Sequence, residues 1–209
     1  MQAFTRLTGI AAPLLRDDIN TDQIAPVPPL RVLEPDYAAQ LFMRWRRRPD
    51  GAVDPAFVLN QPNFRAARIL VAGANFGCGS SRESAAWALA AFGIRCIVGR
   101  SFADLFYDNA IKNGLLPVRL ADAEASAFEA LVLAVNGGAP FQVDLVEQTI
   151  RGPDETTFAF EIDAADRAAL IDGLDDIGLT LKSADDIAAW EARARDARPW
   201  LQSVNRSEA

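Results

Sequence analysis

The stretch Asn75-Phe76-Gly77-Cys78-Gly79-Ser80-Ser81-Arg82-Glu83 governs the reading of this chain, because it sets two hydroxyls and a guanidinium behind two glycines where a strand gives way to a helix. Just upstream, Arg68-Ile69-Leu70-Val71-Ala72-Gly73 carries the apolar run of a buried strand. Downstream, Ser84 to Phe92 is alanine-rich and includes Trp87 and Leu89, as a packed helix would. The first N–H groups of a helix lack intrahelical partners and the helix dipole favours negative charge there, so the junction is a place to hold an anion. Gly77 and Gly79 let the backbone turn tightly and let a ligand approach.

On pattern alone the loop admits three readings. Ser80 or Ser81 caps the helix and Glu83 completes a capping box. Alternatively the loop binds phosphate, although neither G-x-x-x-x-G-K-[ST] nor G-x-G-x-x-G is present. In the third reading Arg82 makes a forked contact with a substrate carboxylate and one serine does proton chemistry, its alkoxide stabilised by the helix terminus and the arginine.

Composition narrows the chemistry. The 209 residues are half hydrophobic, enough for one substantial core, and contain no histidine, so this chain by itself cannot build a Ser-His-Asp triad, a histidine zinc site or a histidine proton shuttle. The two cysteines, Cys78 and Cys96, are too few for a Cys₄ zinc site or an iron-sulfur cluster, and they read as free thiols in a reducing cytosol. Cys78 has a competing reading as a redox or cluster-ligating thiol. A net charge of -7 argues against nucleic acid or an anionic membrane as the main partner. The one basic cluster, Arg44 with Arg46-Arg47-Arg48, reads as a solvated helix end before Pro49-Asp50-Gly51, with contact to a partner as the alternative. Neither a signal peptide nor a membrane span is visible, and the expected location is the cytoplasm.

The chain is organised as one α/β domain over residues 1–197, with an irregular N-terminal excursion, a C-terminal hairpin plus helices, and a flexible tail at 198–209. Residues 4–16 read as a strand, Asp17 to Asp22 as a polar loop, and the run Pro26 to Pro35 as neither helix nor central strand. Tyr37 to Arg47 has the pattern of a short amphipathic helix, and Asp50 to Phe64 that of an irregular surface loop. Strand Arg68 to Ala72, helix Arg82 to Phe92, strand Cys96 to Gly99, helix Phe102 to Lys112 and strand Leu116 to Leu120 alternate as parallel β/α/β units with right-handed crossovers do. Ala123 to Val135 follows as a helix. Phe141 to Ile150 and Thr156 to Ile162 then form an antiparallel hairpin around Gly152-Pro153-Asp154, and Ala164 to Gly173 and Ala184 to Ala197 are helices.

The NFGCGSSRE loop resembles the signature loop of the small subunit of the 3-isopropylmalate dehydratases, in the aconitase superfamily. Asn20-Thr21-Asp22-Gln23-Ile24 with Pro26 resembles that family's D-T-D-x-I-x-P element. Similar matches are Ala56-Phe57-Val58-Leu59-Asn60 with Pro62, Ser101 to Phe106, Asn113 to Val118 and Gly173 to Leu181, so the likeness covers almost the whole chain.

The resemblance implies a swivelling β/β/α domain with a partly parallel sheet that forms half of an enzyme. The other half is a large subunit carrying a [4Fe-4S] cluster, with no cofactor or metal on this chain. The implied reaction isomerises 2-isopropylmalate and 3-isopropylmalate by dehydration and rehydration, a step of leucine synthesis. By position, Ser80 is the implied base, and Ser81 and Arg82 bind a substrate carboxylate with help from the backbone near Gly79. Asp22 is the implied acid that positions groups contributed by the large subunit.

Three places depart from the family pattern. Asn20 stands where an aspartate is usual, Ser84 where a histidine is usual, and Pro28-Pro29 where a basic residue and an aromatic are usual. A different alkylmalate, such as 2-methylmalate with citraconate, is the rival substrate, and a non-catalytic dicarboxylate-binding module is the rival from another class.

Overall fold

The central strands are largely apolar because both of their faces are covered. The computed structural model describes residues 1–27, 33 and 35–201. Its strands are β1 (Arg6–Leu14), β2 (Ala67–Ala72), β3 (Cys96–Gly99), β4 (Leu116–Arg119), β5 (Phe141–Asp144), β6 (Thr149–Arg151) and β7 (Thr157–Ala159). They form one sheet in the order β4-β3-β2-β1-β5-β6-β7. Strands β1 to β4 run parallel, with Ala11 opposite Ile69, Leu14 opposite Ala72 and Val71 opposite Val98. On its other side β1 pairs antiparallel with β5, Leu7 facing Val143, and β5, β6 and β7 continue as an antiparallel meander. The expected α/β class with a partly parallel sheet is the architecture found.

Nine α-helices are described: α1 (Thr21–Ile24), α2 (Tyr37–Gln40), α3 (Met43–Arg46), α4 (Glu83–Phe92), α5 (Asp104–Lys112), α6 (Asp122–Val135), α7 (Ala164–Asp172), α8 (Asp176–Leu181) and α9 (Ala184–Ala197). Two cores flank the sheet. Ala12, Leu14, Leu70 and Ala72 join Ala85, Ala86 and Leu89 of α4 on one face, while Ala11, Ile69, Val71 and Val98 join Phe128 and Val132 of α6 on the other. Successive strand residues thus serve opposite cores, and each buried Leu, Ile or Val contributes roughly 1.5–3 kcal/mol. The chain divides into two compact units, Met1–Leu174, which holds the whole sheet, and Asp175–Ala209, which holds α8 and α9.

Five local expectations need correction. The single helix expected over Tyr37 to Arg47 is two short helices, because Phe42 takes a left-handed conformation (φ 47°). That backbone lets the Phe42 ring reach the core and stack on Trp45 at 5.5 Å, and the Phe42 N–H donates to the Ile24 carbonyl. The expected surface loop at Asp50 to Phe64 instead buries Phe57, Leu59 and Phe64, and Val58–Asn60 is a 3-10 turn. Arg46, read as part of a solvated helix end, is a latch. Its guanidinium donates to the Ala38 carbonyl at 3.0 Å and to Asn60 Oδ1, and lies 4.8 Å over the Phe92 ring. Finally, the continuous strand expected over Phe141 to Ile150 breaks at a turn in which the Asp144 carboxylate accepts from the N–H groups of Val146 and Glu147, and α8 falls where no helix was expected. Pro28 and Pro29 lie outside the described residues, as does 202–209 of the expected tail; Pro199–Leu201 forms a 3-10 turn.

Candidate functional site

The loop that follows β2 is held between two others at the carboxyl ends of the parallel strands, which is where open α/β sheets bind ligands. On one side it runs beside the segment after β1. The Asp17 carboxylate accepts from the Ala74 N–H at 2.7 Å, Asn75 Nδ2 donates to the Asp18 carboxylate at 2.7 Å, and the Gly77 N–H donates to the Ile19 carbonyl at 2.7 Å. Thr21 then ties the segment to the serines, its N–H donating to the Cys78 carbonyl and its hydroxyl to the Ser80 carbonyl at 2.8 Å. On the other side the Asn75 N–H donates to Ser101 Oγ and the Ala103 N–H to the Phe76 carbonyl. Phe76 anchors the loop inside the core, edge-on to Phe102 and Phe106.

The two glycines do different work. Gly77 (φ 81°) lies against Phe106, and a Cβ built there would come 2.2 Å from the ring's Cγ, so only glycine fits. Gly79 (φ 90°) has room for a methyl group, with Asn20 Cβ 3.5 Å away. Its requirement is conformational alone.

This clamp delivers Gly79, Ser80 and Ser81 to the surface and leaves Arg82 partly covered. The first of the three pattern readings fails here, because Arg82 is itself the N-cap of α4, in extended conformation, and no side chain caps the helix. Among the described residues neither serine hydroxyl donates a hydrogen bond, and the N–H groups of Gly79, Ser80 and Ser81 donate to no protein acceptor. The loop therefore presents two hydroxyls and a fan of unused N–H groups at the start of a ten-residue helix.

Asp22 joins this group from the neighbouring segment. It sits in the first turn of α1, which Asn20 and Gln23 close reciprocally: Asn20 Oδ1 accepts from the Gln23 N–H at 2.9 Å and Gln23 Oε1 from the Asn20 N–H at 2.8 Å. Asparagine thus does the capping work an aspartate would do at this position. Asp22 Oδ1 lies 2.5 Å from Arg82 Nη1. That approach is out of line for a hydrogen bond, and Nη1 is a buried donor with no hydrogen-bond acceptor. The ion pair therefore orients the guanidinium. Sequence reasoning assigned Asp22 toward another subunit and missed this pairing, for which no local spacing gives a signal.

The cysteines do not make a reactive pair. Both are free; burial and then the nearby Asp18 carboxylate push the Cys78 thiol up, and full burial pushes Cys96 up further. Among the described residues no three His, Cys, Asp or Glu side chains gather as metal ligands. No described helix is long and apolar enough to cross a membrane.

Comparison with known proteins gives a consistent picture. Residues 1–123 match the family model of the aconitase C-terminal domain, 130–164 a model described as LeuD_N, and 176–204 the C-terminal domain of the 3-isopropylmalate dehydratase small subunit. A 3-isopropylmalate dehydratase small subunit from Jannaschia sp. is 50% identical over 203 residues, covering 96% of this chain and 100% of that protein. The small subunits of Dinoroseobacter shibae and Paramagnetospirillum magneticum are 49% and 47% identical with the same coverage. A crystal structure of a 3-isopropylmalate dehydratase from Methanocaldococcus jannaschii superposes with a TM-score of 0.63 at 29% identity, covering 89% of this chain and 99% of that one.

Proposed function

Because this chain belongs to the 3-isopropylmalate dehydratase small-subunit family, and is therefore part of a hydro-lyase, we propose that its exposed loop is the proton-transferring and carboxylate-binding half of an isopropylmalate isomerising site. The observation that carries this reading is the convergence of Ser80, Ser81, the free N–H groups from Gly79 onward and the Asp22-oriented Arg82 on one edge of the sheet.

In this reading Ser80 Oγ, as alkoxide, takes the proton from the carbon next to a substrate carboxylate. The adjacent C–O bond then breaks, and hydroxide departs to give the alkene. Hydroxide adds back with the opposite regiochemistry, and Ser80 returns its proton to the other carbon. Negative charge builds on the carboxylate side as the carbon is deprotonated, and the N–H groups and the Arg82 guanidinium meet it there. Ser81 and Arg82 hold the carboxylate, and Asp22 acts as a positioning residue for Arg82. The helix terminus and the arginine supply the charge stabilisation that lets a serine serve as base.

In this reading an iron-sulfur cluster for the reaction would be held by the large subunit, a division of labour supported by the small-subunit relatives and the match to the aconitase C-terminal domain. That cluster would supply a Lewis acid for the departing hydroxyl. The assembled enzyme is read as cytoplasmic. Anaerobic mixing of the purified chain with a cluster-bearing large subunit tests the reading. Turnover of 2-isopropylmalate should be absent from either half alone and appear in the mixture; a cluster on the isolated chain, or no gain on mixing, would overturn it.

A further inference from the structure

Four arginines that the site does not use gather in one cleft. It has a volume of about 580 Å³ and lies between the end of β1 and the α3 segment, with Arg16 on one wall and Arg44, Arg47 and Arg48 on the other. Asp54 is the one carboxylate in its lining, and it lies 3.9 Å from Arg48. Arg47 donates to the Gly51 carbonyl, and Arg16 lies 4.8 Å over the Trp45 ring, so two of the guanidiniums are held in place. Arg44 is exposed and, among the described residues, has no hydrogen bond or ion pair. In a chain of net charge -7, this is a marked local reversal of sign. Leu15, 38% exposed, gives the cleft an apolar shoulder.

The cleft borders the catalytic edge. Arg16 directly precedes Asp17 and Asp18, whose carboxylates bond Ala74 and Asn75 at the root of the serine loop. Two residues span at most about 7 Å. A standard protein interface covers about 800 Å² on each partner, a patch roughly 30 Å across. Any large subunit that brings a reaction centre to Ser80 covers this edge. Four guanidiniums cannot be covered without acceptors, because a charge stripped of water and left unpaired is strongly unfavourable. A small anion fits less well, since Asp54 stands inside the cleft, whereas a longer acidic segment can contact the arginines and also rest on Leu15 and Trp45.

The geometry points to this arginine cleft as a docking surface for an acidic segment of the large subunit, seated beside the catalytic loop. The inference rests on the functional reading above and adds the means by which the two halves are held in register.

The test measures association of the full chain with the cluster-bearing large subunit by calorimetry, and turnover separately at saturating large subunit. Arg44→Glu combined with Arg48→Glu should weaken association at least tenfold and leave kcat at saturation unchanged, and Arg44→Lys should bind as the wild type does. Wild-type association should weaken steeply with added salt, and the double variant should lose most of that dependence. Association unmoved by both the substitutions and salt overturns this inference and not the functional reading. Wild-type halves that associate yet show no turnover overturn the functional reading and not this one. If the substitutions abolish binding of citrate or inorganic phosphate but leave association with the large subunit unchanged, the cleft is a small-anion site and the docking inference fails.

Discussion

Asp22 and Arg82, far apart in sequence, meet at 2.5 Å across the mouth of the serine loop, with side chains 54% and 28% exposed. A pair this open to water contributes at most about 1 kcal/mol to folding. Its consequence is geometric, since it fixes the direction of the guanidinium. Asp22→Asn should leave Tm within a few degrees of wild type. It should also raise KM for the substrate about tenfold or more, by letting the arginine swing. Calorimetry and steady-state kinetics on the reconstituted enzyme separate the two effects; a large fall in Tm with KM unchanged would make the pair structural.

Ser80 and Arg82 should respond differently. The Ser80 hydroxyl donates no hydrogen bond among the described residues, so Ser80→Ala should not change stability or association, yet it should reduce kcat by about 10²–10⁴ through loss of proton transfer. Arg82→Lys keeps the charge but loses the planar fork, and should raise KM more than a charge count suggests. Near-normal turnover in the serine variant would refute its role as base.

The parallel core was legible because its strands are short apolar runs and its helices are bounded by residues such as Gly93, which ends α4 at φ 107°. The loop at Asn75 to Glu83 was legible because its glycines, serines and arginine fall between an apolar strand and an alanine-rich helix. What escaped depended on distant contacts. Phe42 breaks an otherwise helical pattern only because its ring is drawn beside Trp45 and Phe57, a tertiary demand that local propensity does not carry. Arg46 looked like one of four solvated cations, and only the folded chain brings Phe92 beneath it and Asn60 beside it. The pairing of Asp22 with Arg82 was hidden in the same way.

Gly77 and Gly79 separate packing from conformation. Gly77→Ala forces a methyl group into the Phe106 ring in a left-handed backbone; overpacking of about 1–3 kcal/mol and backbone cost of about 1–2 kcal/mol predict a Tm loss of roughly 5–15 °C. Gly79→Ala meets no obstacle, so its Tm should fall by only about 2–6 °C while kcat drops, because the N–H groups that follow it are re-aimed. Equal Tm losses in the two variants would contradict this division.

Cys78 tests the electrostatics of the loop root. Burial and the Asp18 carboxylate both disfavour its thiolate, so at pH 8 it should alkylate with iodoacetamide several-fold more slowly than a free cysteine. Raising the pH should restore the rate, and Asp18→Asn should speed it at fixed pH by removing one of the two causes. Cys96, fully buried, should stay unmodified until the chain unfolds. A Cys78 that reacts as fast as glutathione would indicate a thiolate-stabilising environment and reopen its redox reading.

Asn20 offers the last check, on whether its departure from the usual aspartate matters. Its side-chain oxygen accepts from the Gln23 N–H while Gln23 returns the bond, and an aspartate oxygen can make the same contact. Asn20→Asp should therefore change stability by less than about 0.5 kcal/mol and leave kcat/KM unchanged. Asn20→Ala removes the acceptor and should cost about 1 kcal/mol, the usual value of an N-cap. Because α1 carries Thr21, which holds the Ser80 carbonyl, and Asp22, which aims Arg82, that variant should also lose catalytic efficiency beyond its loss of stability. Full kcat/KM in Asn20→Ala with the expected fall in Tm would show that the turn supports the fold without setting the site.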